Sequence, residues 1–102
     1  MTTKENDVFD ALKYRIEVDQ YGTVFYFNKD GSVHRENGPA IITAKGTRKW
    51  VLNGKFHRED GPAIIYSDGV KAWYLYGRDY DEDDFPQALA ELGLGPTDKR
   101  TA

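Results

Sequence analysis

His34-Arg35-Glu36-Asn37-Gly38-Pro39-Ala40-Ile41-Ile42 returns 23 residues later as His57-Arg58-Glu59-Asp60-Gly61-Pro62-Ala63-Ile64-Ile65. The two copies differ only where Asn37 is replaced by Asp60. A sequence that repeats this closely indicates one small supersecondary unit built more than once. The flanks repeat more loosely, since residues 46–54 correspond to 69–77, and residues 22–28 are a degenerate earlier version. Repeats of this kind build elongated surfaces rather than enclosed catalytic pockets.

Short strand-forming stretches alternate with glycine turns along the chain. Residues 13–19 alternate polar and apolar side chains, which is the period of a half-buried strand, and residues 24–27 are rich in strand formers. The predicted hairpin strands that follow are residues 40–43 with 48–52 and residues 63–66 with 71–75. The predicted tight turns are Asp30-Gly31, Asn53-Gly54 and Asp68-Gly69. This pattern predicts a mainly β fold, an antiparallel meander of stacked β-hairpin repeats.

The repeated motif predicts a bonded corner between hairpins. The Asn/Asp-Gly pair makes the turn, the proline removes a backbone donor, and Ala-Ile-Ile begins the next strand. We expect the glutamate to accept backbone amides that the corner frees, while the histidine bonds across it. The residues of this structural turn motif are His34, Arg35, Glu36, Gly38, Pro39, His57, Arg58, Glu59, Gly61 and Pro62.

The length of 102 residues predicts a single domain, 1–102, with ends that differ from the repeats. Residues 13–77 are the predicted repeat sheet, and residues 96–102 a disordered tail. Residues 6–12 predict a short N-terminal helix, and residues 83–93 a helix that caps the array.

The capping helix has recognisable start and stop signals. Asp83 or Asp84 is the predicted N-cap, with Pro86 in the first turn and Gly93 as the stop. The side chains expected to share one face and pack onto the sheet are Phe85, Leu89 and Leu92.

Composition narrows the function classes. A net charge of −3 and a pI near 5.3 do not favour direct nucleic-acid binding, which calls for a basic face. The chain has no cysteine and no apolar run long enough to span a bilayer, and residues 1–6 are polar. We therefore expect a cytoplasmic protein that does not bind a membrane.

The His-Arg-Glu triplets are the sharpest chemical candidates. His34, Glu36, His57 and Glu59 are residue types that bind zinc. Equivalent residues in successive two-stranded units lie roughly 10 Å apart, however, which is too far to share one ion. The sequence also has no nucleophile elbow and no phosphate-binding glycine loop. We expect no metal site, no cofactor and no enzymatic activity.

Two features predict a binding surface. Residues 79–84 hold five carboxylates in six residues, more than a helix start requires, and such a cluster steers a basic partner. Tyrosines anchor protein interfaces, although here they could equally pack on cross-strand neighbours. The predicted partner-binding residues are Tyr66, Tyr74, Tyr76, Asp79, Asp81, Glu82, Asp83 and Asp84.

The stretch from Trp50 to Ala63 resembles the MORN-variant repeats of bacterial and bacteriophage proteins. In those repeats an aromatic strand is followed by an Asn-Gly-Lys turn, a His-Arg pair and Gly-Pro-Ala, as in residues 50–63 here. The resemblance covers residues 22–77. It implies a rod-like sheet of stacked hairpins, similar to those of some antitoxin-like bacterial proteins and small phage proteins.

The sequence and the resemblance together predict a non-enzymatic protein-binding module. We expect a small phage or mobile-element inhibitor that binds and blocks a host protein, of counter-defence or antitoxin type. One alternative is a binder that sequesters a nucleotide or another small ligand, with Arg35, Arg48 and Arg58 holding phosphates. Another is a structural scaffold that forms a homodimer through the edges of its sheet.

Overall fold

The computed structural model describes residues 12–94. This part of the chain contains nine short strands and a short α-helix that follows them, and its first two residues, Leu12 and Lys13, are also helical. The strands are β1 (Arg15–Val18), β2 (Val24–Phe27), β3 (Ile41–Ile42), β4 (Arg48–Lys49), β5 (Val51–Leu52), β6 (Lys55–Phe56), β7 (Ile64–Ile65), β8 (Lys71–Leu75) and β9 (Arg78–Tyr80). A 3-10 turn, Glu82–Asp84, leads into the helix α1, Phe85–Glu91.

Seven of the strands form one antiparallel sheet in the order β1-β2-β3-β4-β7-β8-β9. β5 and β6 form a separate antiparallel pair. The predicted mainly β fold, an antiparallel meander with a short C-terminal helix, is confirmed. The predicted N-terminal helix at residues 6–12 falls almost wholly outside the described residues, and the predicted tail at 96–102 falls entirely outside them.

The strand predicted at residues 48–52 is divided at Trp50. The Trp50 N–H donates to the Ala63 carbonyl (2.7 Å), and the Trp50 carbonyl accepts from the His57 N–H (3.0 Å). Residues before Trp50 therefore pair within the main sheet, whereas residues after it pair with β6. Hydrogen bonds to distant segments make this division, and the local sequence contains no signal for it.

Two hairpins turn through residues with positive φ. Asn53 and Gly54 (φ 49° and 81°) join β5 to β6, as the Asn-Gly pair predicts. Tyr76 and Gly77 (φ 51° and 87°) join β8 to β9 in the same way. A tyrosine in the left-handed region is strained, whereas asparagine tolerates it. The second turn was missed for that reason, and the sheet continues to Tyr80 rather than ending at residue 77.

The core lies where α1 packs against the end of the sheet. Leu75, Phe85 and Ala88 are buried, and the Trp73 and Phe85 ring centroids are 4.9 Å apart. Leu89 packs against the same cluster. The partly buried residues that complete the cluster are Trp73, Tyr80, Leu89 and Leu94.

One prediction about α1 is wrong, and another is confirmed in its position only. Leu92 is 49% exposed, because the helix ends at Glu91 and its inner face is formed at a spacing of three and four residues by Phe85, Ala88 and Leu89. The N-cap of α1 is Asp84, but no side-chain capping hydrogen bond forms there or at Asp81, which precedes the 3-10 turn. The backbone of the 3-10 turn leads directly into the helix instead.

β1 also differs from its prediction as a half-buried strand. All four of its side chains are exposed, with Ile16 at 41% and Val18 at 64%. The strand lies at the edge of the sheet, so the face that its alternation would bury stays open. Within residues 12–94, no helix is long and apolar enough to cross a membrane.

Candidate functional site

Each copy of the repeated motif forms a corner around a buried histidine. His57 is 4% exposed, its Nδ1 accepts the Tyr76 N–H (2.9 Å), and its Nε2 lies 2.9 Å from Glu59 Oε2. Because Nδ1 accepts a hydrogen bond, the ring proton is on Nε2, which donates it to the carboxylate. Both ring nitrogens are therefore engaged inside the protein.

The first corner has the same bonds. His34 Nδ1 accepts the Asn53 N–H (2.9 Å), and its Nε2 donates to Glu36 Oε2 (3.2 Å). The histidines thus bond across the corner, as expected. The expected acceptor role of the glutamates differs, because the carboxylates of Glu36 and Glu59 accept hydrogen bonds from Nε2 of the histidines and not from freed backbone amides.

In each corner an arginine packs on an aromatic ring and donates a hydrogen bond to the proline carbonyl, an arrangement that we call the arginine clamp. The Arg58 guanidinium carbon lies 3.8 Å from the Trp50 ring centroid, and Nη1 donates to the Pro62 carbonyl (3.1 Å). Arg58 Nε donates to Asp60 Oδ1 (3.0 Å). A Cβ at Gly61 would lie 3.0 Å from the same guanidinium carbon. A larger residue is disfavoured here by the arginine packed against the glycine and not by a positive φ.

The first corner repeats this clamp on a different ring. Arg35 lies 4.0 Å from the Tyr26 ring centroid and donates to the Pro39 carbonyl (3.1 Å), while a Cβ at Gly38 would lie 3.1 Å from it. Arg48 lies 5.7 Å from the Trp50 ring. Arg35 and Arg58, two of the arginines proposed to hold phosphates, therefore already pack on rings of this chain, which does not favour the nucleotide-binding alternative.

Glu36 has further partners that Glu59 does not share. Lys13 Nζ donates to Glu36 Oε1, and the Glu36 N–H donates to the Tyr14 hydroxyl (3.0 Å). The hydrogen bond from Lys13, followed by the one from His34, lowers the pKa of Glu36 below its ordinary value. The same bond to Glu36 raises the pKa of Lys13.

A groove of about 610 Å³ lies between the two corners. Its ionic side chains carry both signs and largely bond to one another, as His57 does with Glu59 and Arg58 with Asp60. The residues that line it are Arg35, Glu36, Asn37, Gly38, Pro39, Trp50, Leu52, His57, Arg58, Glu59 and Asp60. Self-paired charges of this kind suit a structural role.

A second groove, of about 450 Å³, has a different character. We call it the acidic groove, and its lining residues are Gly69, Lys71, Ala72, Trp73, Tyr74, Asp79, Tyr80, Asp81 and Glu82. Its lining residues include three aromatic residues, three acidic residues and one lysine. The register of β8 and β9 makes these residues neighbours, since Trp73 pairs with Tyr80 and Tyr74 with Asp79. The two pairs lie on opposite faces of the strands, with the Trp73 ring against Phe85 and the Tyr74 ring against Phe56.

Only part of the predicted binding set meets in the acidic groove. Tyr74, Asp79, Asp81 and Glu82 line it, and their meeting depends on strand β9, which the sequence did not predict. The predicted residues that are exposed but do not line it are Tyr66, Tyr76, Asp83 and Asp84.

Trp73, Tyr80 and Lys71 were missed as members of the groove. One signal could have drawn attention to Tyr80. It stands 23 residues after His57, at the position where each earlier hairpin ends in a corner histidine.

Among residues 12–94, no group of three or more His, Asp or Glu side chains could hold a metal ion. Comparisons of this chain with family models, with curated proteins and with solved structures give no match. The likeness to MORN-variant repeats therefore remains an interpretation of the motifs.

Proposed function

We propose that the chain is a non-enzymatic protein-binding module that holds a basic segment of a partner protein in the acidic groove. The observation that supports this proposal is that Trp73, Tyr74 and Tyr80 line one concave site together with three acidic residues. A lysine or arginine side chain of a partner gains an ion pair from the carboxylates and a cation–π contact from a ring. The negative charge of the groove disfavours phosphates.

The position of the groove suits a partner that is itself a protein. Within residues 12–94, β9 is an edge strand of the sheet, so an extended segment of a partner can lie beside it and pair with its backbone. Asp79 in this strand and Asp81 just after it then face a basic segment with complementary charge.

The histidines support the non-enzymatic part of the proposal. General acid–base catalysis requires a titratable group that can reach a substrate. In each corner histidine, Nδ1 instead accepts a hydrogen bond from a backbone N–H, and Nε2 donates one to a carboxylate of its own corner. The histidines, which are the strongest candidates for catalysis in the sequence, therefore hold the hairpins together.

The finer identity rests on the resemblance of the motifs. We propose a cytoplasmic phage or mobile-element inhibitor that binds and blocks a host protein, in the manner of counter-defence or antitoxin-like proteins. The absence of cysteine from the sequence supports a reducing compartment.

The experiment compares two pairs of charge-removing substitutions in the same acidic stretch. Asp79→Asn with Asp81→Asn removes two carboxylates from the groove, whereas Asp83→Asn with Asp84→Asn removes two that do not line it. The immobilised full chain and both variants are incubated with a bacterial lysate, and the retained proteins are quantified by mass spectrometry. We expect the groove variant to retain the partner about tenfold less, since it loses two charge contacts, while the control variant retains it.

Two outcomes would contradict the proposal. Equal losses in both variants indicate that net charge alone attracts the partner and that the groove does not bind it. Full retention by the groove variant places the binding surface elsewhere. Circular dichroism of both variants checks that the fold is unchanged.

A further inference from the structure

The first strand of the sheet carries a pattern that the proposed function does not use. Among residues 12–94, β1 is the outermost strand and pairs with β2 alone. Its four side chains are exposed, including the apolar Ile16 and Val18. An exposed edge strand is a template for pairing with another chain, so its side chains decide which chain can pair.

The pairing of β1 with β2 determines which backbone groups face outward. The Asp19 N–H donates to the Thr23 carbonyl across this pair (3.0 Å). Alternate residues of an antiparallel strand bond to opposite sides, so every second residue before Asp19 also bonds towards β2. The N–H and C=O groups of Ile16 and Val18 therefore point away from the sheet.

The charges of this strand are antisymmetric about Ile16. Arg15 precedes Ile16, and Glu17 follows it. A second copy running antiparallel, with Ile16 opposite Ile16, places each Arg15 opposite the Glu17 of the other copy. Opposite charges then meet twice on the same face of the sheet, and cross-strand pairs of this kind are stabilising.

Other registers lack this match. A shift by one residue places charged side chains opposite apolar ones, because side chains alternate between the faces of a strand. A shift that places Glu17 opposite Glu17 makes like charges meet. That register also brings Asp19 opposite Arg15, but the Asp19 carboxylate already accepts two backbone N–H groups of its own turn. The register centred on Ile16 is therefore the favoured one.

The other edge strand of the sheet, β9, shows the contrast. Self-pairing centred on Tyr80 would place Asp79 opposite Asp81, and self-pairing centred on Asp79 would place that residue opposite itself. Like charges meet in both registers, which disfavours pairing of two copies at this edge. The two edges of one sheet thus differ in their preferred partner.

We infer that a second copy of this chain pairs antiparallel with β1 in the register centred on Ile16, which gives a two-fold dimer with a continuous sheet. Each chain already pairs Arg15 Nε with Glu17 Oε2 (2.9 Å), so the dimer joins two such pairs into a four-charge cluster. The acidic groove is formed by β8, β9 and the residues beside them, far from β1 in the strand order. Dimerisation is therefore independent of the proposed function and leaves both grooves open.

A charge exchange tests the register directly. Arg15→Glu alone and Glu17→Arg alone each place like charges opposite one another in a homodimer. We expect each variant to self-associate about tenfold or more weakly than the wild-type chain in analytical ultracentrifugation. Equal amounts of the two variants restore opposite charges at both contacts and form a heterodimer. The double variant, Arg15→Glu with Glu17→Arg, restores the homodimer.

Arg78→Glu is the matched control at the other edge. Arg78 is an exposed arginine 5.2 Å from the Tyr80 ring, as Arg15 is 4.4 Å from the Phe27 ring. We expect this variant to remain a dimer. Recovery of the heterodimer also shows that both single variants are folded.

Three results overturn the inference. The first is that the wild-type chain sediments as a monomer. The second is that either single variant self-associates as strongly as the wild type, which would place the interface on another surface. The third is that the mixture of the two variants stays monomeric while circular dichroism shows both to be folded.

Discussion

The two corners of the chain have nearly the same sequence and the same internal hydrogen bonds, but their surroundings differ. At the first corner, Glu36 is also bonded to the side chain of Lys13 and, through its N–H, to the Tyr14 hydroxyl. At the second, the Tyr76 ring stacks on His57, with ring centroids 4.1 Å apart. The motif therefore sets the internal geometry of a corner, and the neighbouring segments determine what depends on it.

The difference is clearest at the residue whose backbone N–H donates a hydrogen bond to the histidine. At the first corner this residue is Asn53, and at the second it is Tyr76, both with positive φ. Asparagine adopts this conformation readily, whereas for tyrosine it costs roughly 1 kcal/mol or more and must be held by its surroundings. The hydrogen bond and the ring contact of His57 hold Tyr76 in place, so the second corner should depend more on its histidine.

The largest expected effect is the loss of a corner histidine. We expect His57→Ala to lower the free energy of unfolding by about 3 kcal/mol and His34→Ala by about 2 kcal/mol, measured by urea denaturation. Both variants leave a cavity and an unsatisfied backbone N–H. Only His57→Ala also releases the strained turn at Tyr76.

His57→Asn is the control for this comparison. Its amide oxygen can accept the Tyr76 N–H in place of Nδ1, so it should recover part of the stability that His57→Ala loses. Equal losses for alanine at the two corners would show that the strained turn does not depend on His57.

A smaller effect is expected where the arginine clamp packs against glycine. Gly61→Ala places a Cβ against the Arg58 guanidinium, which Trp50 and the Pro62 carbonyl hold in position. We expect a loss of about 1 kcal/mol in the free energy of unfolding. In an Arg58→Ala background the same substitution should cost little, because the clashing group is gone.

Gly38→Ala, with and without Arg35→Ala, repeats this double-mutant cycle at the first corner. The two cycles should give similar coupling energies, since the clamp belongs to the motif itself. A Gly61→Ala cost that is unchanged when Arg58 is removed would mean that the backbone, and not the arginine, requires glycine.

Features of the fold that depend on local sequence could be predicted. The antiparallel meander follows from the strand-forming stretches and from turns such as Asn53-Gly54, where residue type and required φ agree. β9 was missed because Tyr76-Gly77 does not resemble a turn, and its conformation is imposed by a histidine 19 residues earlier. The division at Trp50 was missed for the same physical reason, since Ala63 and His57 supply its hydrogen bonds.

The candidate site divides in a similar way. Carboxylates such as Asp79 and Asp81 are visible as an excess of charge in the sequence. Their meeting with Trp73 and Tyr80 depends on the register of β8 and β9, which no local pattern encodes. Composition therefore indicated the charge of the groove, and only the strand pairing showed where the groove lies.

The smallest expected effect is a change in the pKa of Glu36, the glutamate of the first corner. The hydrogen bond from Lys13, and after it the one from His34, lowers the pKa of Glu36 from its ordinary value of 4.5. A lowered folded pKa contributes stability above pH 4.5, and this contribution is lost as the pH falls through the lowered value. The side chains of Lys13 and Glu36 are both exposed, so the effect on stability is small and is best followed by NMR titration of the Glu36 carboxyl carbon.

Lys13→Met should raise the pKa of Glu36 towards 4.5, while the hydrogen bond from His34 keeps part of the shift. Lys29→Met, at an exposed lysine elsewhere, should leave the pKa of Glu36 unchanged. A Glu36 pKa that does not move in Lys13→Met would remove the electrostatic difference between the corners.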